Sequence, residues 1–271
     1  FRTGDIREYW ESNDRRIESS KKDLCGIEKP DVCAREMKTG LSEQMSEAMR
    51  HTGRSVCYLT PSQMTVWGEV MPVGDRMKLL KDAAREDMLI IEDDYNSEFR
   101  YYNRPTPSLQ GLSGGRGVVY LGTFSRLLLP SIRMSYMVLP EPVCRMYKER
   151  CGFISSTVSK VDQLILQKFM EEGYYERHLN KTRALYRSRH DMLLSAVKEM
   201  IPDVRISGEN AGVHLLLHFR DGRSEKELIQ RAAEKGVKVY GLSEYYVDGK
   251  EKEGETVILL GYANMNEENI R

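Results

Sequence analysis

The stretch Met88-Leu-Ile-Ile-Glu-Asp-Asp-Tyr-Asn-Ser-Glu-Phe99 joins an uninterrupted apolar run to an acidic, polar end. A short run that is apolar on both sides predicts a strand buried within a sheet. Similar runs occur at 55–60, 118–121 and 133–139, and helical patterns separate some of them. This alternation predicts an α/β fold whose mostly parallel sheet is covered on both faces.

The second half of the chain predicts helices followed by a smaller α+β segment. A long helix is expected from Tyr174 to Met200, where Pro202 stops it. Two shorter helices are expected to turn apolar residues inward: Met77, Leu80 and Ala84 in one, and Val161, Leu164, Ile165 and Phe169 in the other. The predicted organisation is a poorly defined segment 1–54, a partial large domain 55–174 and a small domain 175–271.

Composition excludes several classes of protein. Lys and Arg total 41 and Asp and Glu total 41, and a net charge of zero argues against a dedicated nucleic-acid surface. The five cysteines form no Cys-x-x-Cys pair, which favours free thiols in a reducing cytosol. The pattern contains neither a membrane span nor a signal peptide. We therefore expect a cytoplasmic protein, and the missing initial Met suggests a fragment.

Polar segments follow three of the predicted strands, at 60–68, 91–99 and 120–126. Open α/β sheets bind ligands at the carboxyl ends of their strands. Separately, each segment has a plain structural explanation. The adjacent aspartates suit a metal pair, a helix cap or a solvated turn, and the Thr and Ser suit a tight turn. Together they form a long, ordered set of motifs.

That set carries a resemblance to a known family. Ile-Glu-Asp-Asp-Tyr-x-Ser-Glu-Phe, then Tyr-Leu-Gly-Thr-Phe-Ser-x, then Pro-x-x-Arg-x-x-Tyr-Met-Val-Leu-Pro resembles the aminotransferase-like domain of bacterial MocR-type (GntR-family) transcription regulators. The resemblance continues at 173–178, 211–214 and 239–243. It implies an incomplete large domain of the pyridoxal 5'-phosphate (PLP) fold type I, followed by the smaller α+β domain.

The resemblance also implies a function. In this family the domain acts as a sensor that binds PLP and an amine or amino-acid ligand, forms a homodimer, and alters DNA binding by a fused winged-helix domain. No counterpart of that DNA-binding domain is recognisable in this sequence, and no membrane partner is expected. DNA contact is therefore expected only through a domain that these residues do not include.

By resemblance, five residues are expected to contact the cofactor. Asp93 matches the carboxylate beside the ring nitrogen, and Tyr95 matches the phenol near the ring oxygen. Thr123, Ser125 and Arg133 match the groups that bind the phosphate. PLP withdraws electrons once its ring nitrogen is protonated, and a neighbouring carboxylate favours that protonation.

The sequence departs from the family pattern at two further site positions. Arg126 stands where the family has its Schiff-base lysine, and a guanidinium is no amine nucleophile. No lysine occurs between Lys81 and Lys148 to replace it. Asn264 stands where the family has the arginine that clamps a substrate carboxylate, and Asn cannot form that charged pair. The family's upstream phosphate-binding loop has no recognisable counterpart before residue 54.

Three hypotheses follow. The first is a PLP-binding effector and dimerisation domain of a MocR-type regulator. The second is a free-standing class I/II aminotransferase, against which Arg126 argues. The third is a degenerate remnant without cofactor function. Under the first and third hypotheses the chain is expected to be inactive as an aminotransferase.

Overall fold

The apolar runs of the first half form one four-stranded sheet in the computed structural model, which describes residues 56–64, 68–102, 105–210, 212–245 and 254–270. The strands, adjacent in this order, are β1 (Val56–Leu59), β2 (Leu89–Asp94), β3 (Val118–Thr123) and β4 (Ser135–Val138). The first three are parallel, and β4 runs antiparallel to β3. The α/β class and the mostly parallel sheet are confirmed. Segment 1–54 lies outside the described residues.

Helices cover one face of this sheet. Helix α1 (Val73–Arg85) lies between β1 and β2 in the chain, and the short α2 (Leu109–Leu112) lies between β2 and β3. The buried residues of this core are Met64, Met71, Leu79, Ala83, Met88, Ile90, Leu109 and Val118. The opposite face carries Val56, Tyr58 and Met137, which are about half exposed among the described residues. Coverage of both faces was predicted, and the described part of the chain covers one.

The buried face of α1 differs from the predicted one. Leu80 is half-buried against the core as predicted, but Met77 and Ala84 are exposed. Leu79 and Ala83 are buried together with Arg76. The apolar pattern pointed to the wrong face because the buried face includes two charged residues, Arg76 and Asp82. The contacts that make this burial tolerable belong to the candidate site.

The second half begins with three helices, and a second sheet follows them in the chain. The helices are α3 (Glu141–Cys151), α4 (Lys160–Glu171) and α5 (Tyr174–Met200). The bounds of α5 agree with the predicted helix. The second sheet is antiparallel with the order β5-β6-β8-β7, in which the strands are β5 (Arg205–Ser207), β6 (His214–Phe219), β7 (Tyr240–Gly241) and β8 (Thr256–Gly261). Helices α6 (Glu225–Glu234) and α7 (Glu267–Ile270) complete this half.

The inward stripe predicted for α4 is wrong for the described residues. Val161, Leu164 and Ile165 are each more than half exposed, and Leu166 is the buried residue of the helix. The 3.6-residue spacing predicted an amphipathic helix correctly. It could not specify what covers the apolar side, because periodicity reports only that a helix has two faces.

A second core joins the loops after β2 and β3 to the second half. Phe99, Tyr101 and Leu127 come from those loops, and they share this core with α5, β6 and β8. The loops after β2 and β3 are therefore packed against the second half of the chain. None of the described helices is long and apolar enough to cross a membrane. The division of the chain at residue 175 stays a prediction.

Candidate functional site

The candidate site lies where β2 and β3 end. Asp93 is paired with Leu121 and Asp94 with Gly122, so both aspartates lie level with the turn that starts at Thr123. Because side chains alternate between the faces of a sheet, Asp93 shares its face with Thr123. Asp94 points to the face that the helices cover. The two adjacent carboxylates therefore lie in different surroundings, on opposite faces of the sheet.

Asp93 has a phenol as its partner. The Tyr58 hydroxyl donates a hydrogen bond to Asp93 Oδ2. Burial raises the pKa of the Asp93 carboxyl, the hydrogen bond from Tyr58 lowers it, and the charge of Asp94 raises it further. Burial has the largest effect, so the net pKa is above that of a free aspartate. Asp93 is thus a partly buried carboxylate whose charge depends on its hydrogen-bond partners.

Asp94 is held by a separate set of donors. The Tyr120 hydroxyl donates to its Oδ2 at 2.7 Å, and the backbone N–H of Ser97 donates to its Oδ1 at 3.0 Å. These bonds fix the turn that follows β2. Asp94 therefore has a structural role in which it orders the loop that carries Tyr95.

Tyr95 and Arg126 are brought together. The Arg126 guanidinium carbon lies 5.2 Å from the centre of the Tyr95 ring, within the range of a cation–π contact. The Tyr95 hydroxyl donates to the backbone oxygen of Gln63 at 3.2 Å. Burial raises the pKa of nearby Glu98, whereas the positive charges of Arg183 and Arg126 act in the opposite direction. Arg126 thus packs against an aromatic ring, and its charge acts on Glu98, an acid that the motif contains and that was not among the predicted site residues.

The Thr123 hydroxyl organises the turn after β3. It accepts from the backbone N–H of Ser125 at 3.2 Å, and its own proton points to the Met134 carbonyl oxygen at 3.4 Å. Ser125 is buried. This is the structural role that Thr and Ser often have in tight turns. Phosphate binding by either hydroxyl stays a prediction.

Arg133 and Asn264 lie at different places. Arg133 is exposed and has a left-handed backbone with φ of 45°, directly after the short helical turn Pro130–Ile132. Its chain position leads into β4, where Ser135 pairs with Thr123. Asn264 is exposed and follows β8 of the second sheet. Apart from Asn264, all six predicted site residues, including Arg133, belong to the first sheet or to the turns next to it.

A buried ion pair supports the loops of the site. Arg76 and Glu92 both have fully buried side chains and lie 3.7 Å apart. Arg76 also donates to the backbone oxygens of Pro61 at 2.7 Å, Pro107 at 2.9 Å and Met71 at 3.1 Å. Glu92 accepts from two backbone N–H groups at the start of α2, each at 2.9 Å.

This pair connects the loop after β1, the end of β2 and the start of α2. Burial raises the pKa of Glu92 and lowers that of Arg76, while each charge opposes the shift of the other. Buried charges are tolerated when they are paired and hydrogen-bonded. Sequence reasoning missed Arg76. The available signal was its spacing of three and seven residues before Leu79 and Ala83.

A second polar cluster on the second sheet looks like a Ser–His–acid arrangement. His218 Nε2 lies 2.7 Å from Ser207 Oγ, and Glu255 lies 3.4 Å from His218 Nδ1. However, Arg205 donates to Nδ1 at 2.7 Å, and a guanidinium has no acceptor. The ring proton therefore sits on Nε2 and is donated to Ser207. A histidine in this state cannot take the serine proton, so the cluster is structural.

Comparisons with known proteins agree with this fold. No family model matches the chain. It is 43% identical to the uncharacterized HTH-type transcriptional regulator YhdI of Bacillus subtilis (strain 168), over 79% of this chain and 45% of that protein. It is 32% identical to the probable rhizopine catabolism regulatory protein MocR of Rhizobium meliloti, over 79% of this chain and 43% of that protein. The chain thus spans less than half the length of these two relatives.

Solved aminotransferase structures have the same fold as this chain. The multiple substrate aminotransferase from Thermococcus profundus matches with a TM-score of 0.75 and 29% identity, over 87% of this chain and 58% of that chain. The kynurenine aminotransferase of Pyrococcus horikoshii, solved with PMP, matches with a TM-score of 0.74 and 27% identity, over 86% of this chain and 58% of that chain. The chain belongs to the fold-type I aminotransferase-like domains of MocR-type (GntR-family) transcription regulators.

Proposed function

We propose that this chain is the effector-binding and dimerisation domain of a MocR-type regulator, with a PLP site that holds its cofactor without a covalent bond. The observation that carries the proposal is Arg126. It follows the Thr-Phe-Ser turn and packs against Tyr95 at the ends of the strands. A guanidinium remains protonated at accessible pH, so Arg126 cannot supply the amine that a covalent attachment requires.

The side chains at the strand ends suit part of PLP. When bound, PLP supplies an electron-withdrawing ring whose nitrogen is protonated. The half-buried Asp93 carboxylate is suited to accept a hydrogen bond from that nitrogen, and Tyr95 is proposed to contact the ring edge. Thr123, Ser125 and Arg133 are proposed for the phosphate. An amine nucleophile is lacking in the stretch from 82 to 147.

The regulator assignment extends to the partners. The ligand class proposed is an amine or amino acid, and the assembly proposed is a homodimer. Asn264 cannot form a bidentate ion pair with a ligand carboxylate, which argues against efficient aminotransferase turnover. The net charge of zero supports assigning DNA contact to a winged-helix domain instead of to this fold.

A degenerate remnant without cofactor function is the second candidate. It is favoured by Thr123, whose hydroxyl already has its partners within the turn. A phosphate would have to displace or share these bonds. The two candidates differ in one measurable respect, which is saturable binding of PLP.

The test is equilibrium dialysis of PLP against the unaltered protein, Asp93→Asn and Lys226→Gln. Lys226 lies on α6 of the second half and serves as a charge-changing control. We expect saturable binding that Asp93→Asn weakens by about 10- to 150-fold, the worth of one hydrogen bond to a charged group. Lys226→Gln should bind like the unaltered protein. No saturable binding would refute the proposal and favour the remnant, whereas saturable binding with equal affinity in Asp93→Asn would refute the assignment of Asp93 to the site.

A further inference from the structure

Tyr58 is a residue of the site that the motifs do not include. It lies on β1 and pairs with Ile91 in the parallel register with β2. Because side chains alternate along a strand, Tyr58 and Asp93 lie on the same face of the sheet, separated by one side-chain repeat of about 7 Å. A tyrosine side chain is long enough to span that distance. The ring is 48% exposed, so it lies along the open face and not within the core.

The hydroxyl of Tyr58 ends at the Asp93 carboxylate, where it donates to Oδ2. Burial and the neighbouring Asp93 charge raise the pKa of Tyr58, so the phenol keeps its proton and acts as a donor. A carboxylate has about four acceptor positions on its two oxygens, so one phenol leaves capacity for a ligand. Within the described part of the chain, the other titratable groups whose charges act on this pair are Asp94 and Tyr95.

We propose that Tyr58 is a positioning residue for ligand recognition, whose hydroxyl orients the Asp93 carboxylate and keeps it ionised to receive a protonated ring nitrogen. The inference rests on the proposed function, because Asp93 is the ring-nitrogen partner only if the site binds such a ligand. Hydrogen bonding to the charged form of a carboxylate favours that form. Without the Tyr58 bond, burial alone would favour the neutral acid, which is a poorer acceptor.

Tyr58→Phe tests this role because it removes one oxygen and leaves the ring. The matched control is Tyr147→Phe, which removes the hydroxyl of an exposed tyrosine on α3. The first measurement is a carbon-detected NMR titration of the Asp93 carboxyl without ligand. In Tyr58→Phe the midpoint should rise by about one pH unit, a tenfold gain in proton affinity. It should not move in Tyr147→Phe.

The second measurement is the affinity for pyridoxamine 5'-phosphate, which has the ring nitrogen and no aldehyde. Tyr58→Phe should weaken binding by about tenfold at neutral pH, and lowering the pH should widen the difference from the unaltered protein. An unchanged Asp93 midpoint overturns the inference alone. A shifted midpoint with unchanged affinity overturns its ligand-binding part. If the unaltered protein does not bind the probe, the proposed function fails, and the ligand-binding part fails with it.

Discussion

Replacing Arg76 by Met should destabilise the protein far more than the same change at a surface arginine of the same helix. The Arg76 side chain has no exposed surface, and its guanidinium faces the Glu92 carboxylate at 3.7 Å. It also supplies the donors for three backbone oxygens, at 2.7, 2.9 and 3.1 Å. Met fills a similar volume, so the change removes the charge and the donors with little loss of packing.

The expected magnitude follows from what remains after the change. Glu92 becomes a buried charge without its cation, and removing one partner of a buried pair typically costs about 3–5 kcal/mol. Each backbone oxygen left without a donor adds to this, since a buried unsatisfied group costs about 1–3 kcal/mol. Total stabilities of folded domains are about 5–15 kcal/mol. We therefore expect Arg76→Met to lose at least about 3 kcal/mol.

Arg85→Met is the control. Arg85 lies on the same helix, its side chain is 56% exposed, and it pairs with Asp82 at 3.4 Å and Glu86 at 3.1 Å. Exposed pairs contribute about 0–1 kcal/mol. The assay is urea unfolding followed by circular dichroism, with the free energy extrapolated to water. Equal losses in the two variants would refute the reasoning that Arg76 and Glu92 hold the loops of the site.

Two further predictions concern the second sheet and the segments that flank β6. Gly212→Ala places a Cβ 1.9 Å from Gln63 Nε2 at a φ of +88°, whereas Gly222→Ala has a φ of +82° and open space. Gly222→Ala should lower the free energy of unfolding by about 1–2 kcal/mol because of its backbone conformation alone. Gly212→Ala should lower it clearly more, as measured by urea unfolding. Similar losses of stability in the two variants would show that the Gln63 side chain moves away from the added methyl group. Burial, aided by the Arg205 charge, lowers the pKa of His218. Because the folded state lowers the pKa of this histidine, the neutral imidazole stabilises the fold above the unfolded pKa of about 6.5. This stabilisation is lost as the pH falls below that value. His218→Gln should therefore lose less stability than the unaltered protein between about pH 7.5 and pH 5, and parallel pH profiles would contradict this.

The strands were predictable because their residues form short, nearly continuous apolar runs. The apolar run at 88–91 and the run at 118–121 begin within one residue of β2 and β3. The structure extends both strands into their polar ends, as far as Asp94 and Thr123. Hydrophobicity marks where a strand is covered, whereas hydrogen bonding to its neighbours decides where it ends.

The supports of the site were not predictable in the same way. Arg76 looks like a surface residue by type, and its burial depends on three carbonyl groups, two from the connection between β1 and α1 and one from the loop before α2. Tyr58 fits an apolar strand pattern, and its contact with Asp93 follows from the pairing of β1 with β2. Both roles are set by register and by contacts distant in sequence. A pattern along one segment cannot contain that information.

The central claim is that the site holds PLP without a covalent bond because Arg126 replaces the amine. The direct measurement is borohydride reduction of the protein saturated with PLP, followed by peptide mass mapping of every lysine. The account predicts no stoichiometric pyridoxyl adduct, with only scattered labelling of exposed lysines at high PLP concentration. One lysine modified in nearly every molecule, at low PLP concentration, would contradict it and identify a nucleophile at the site.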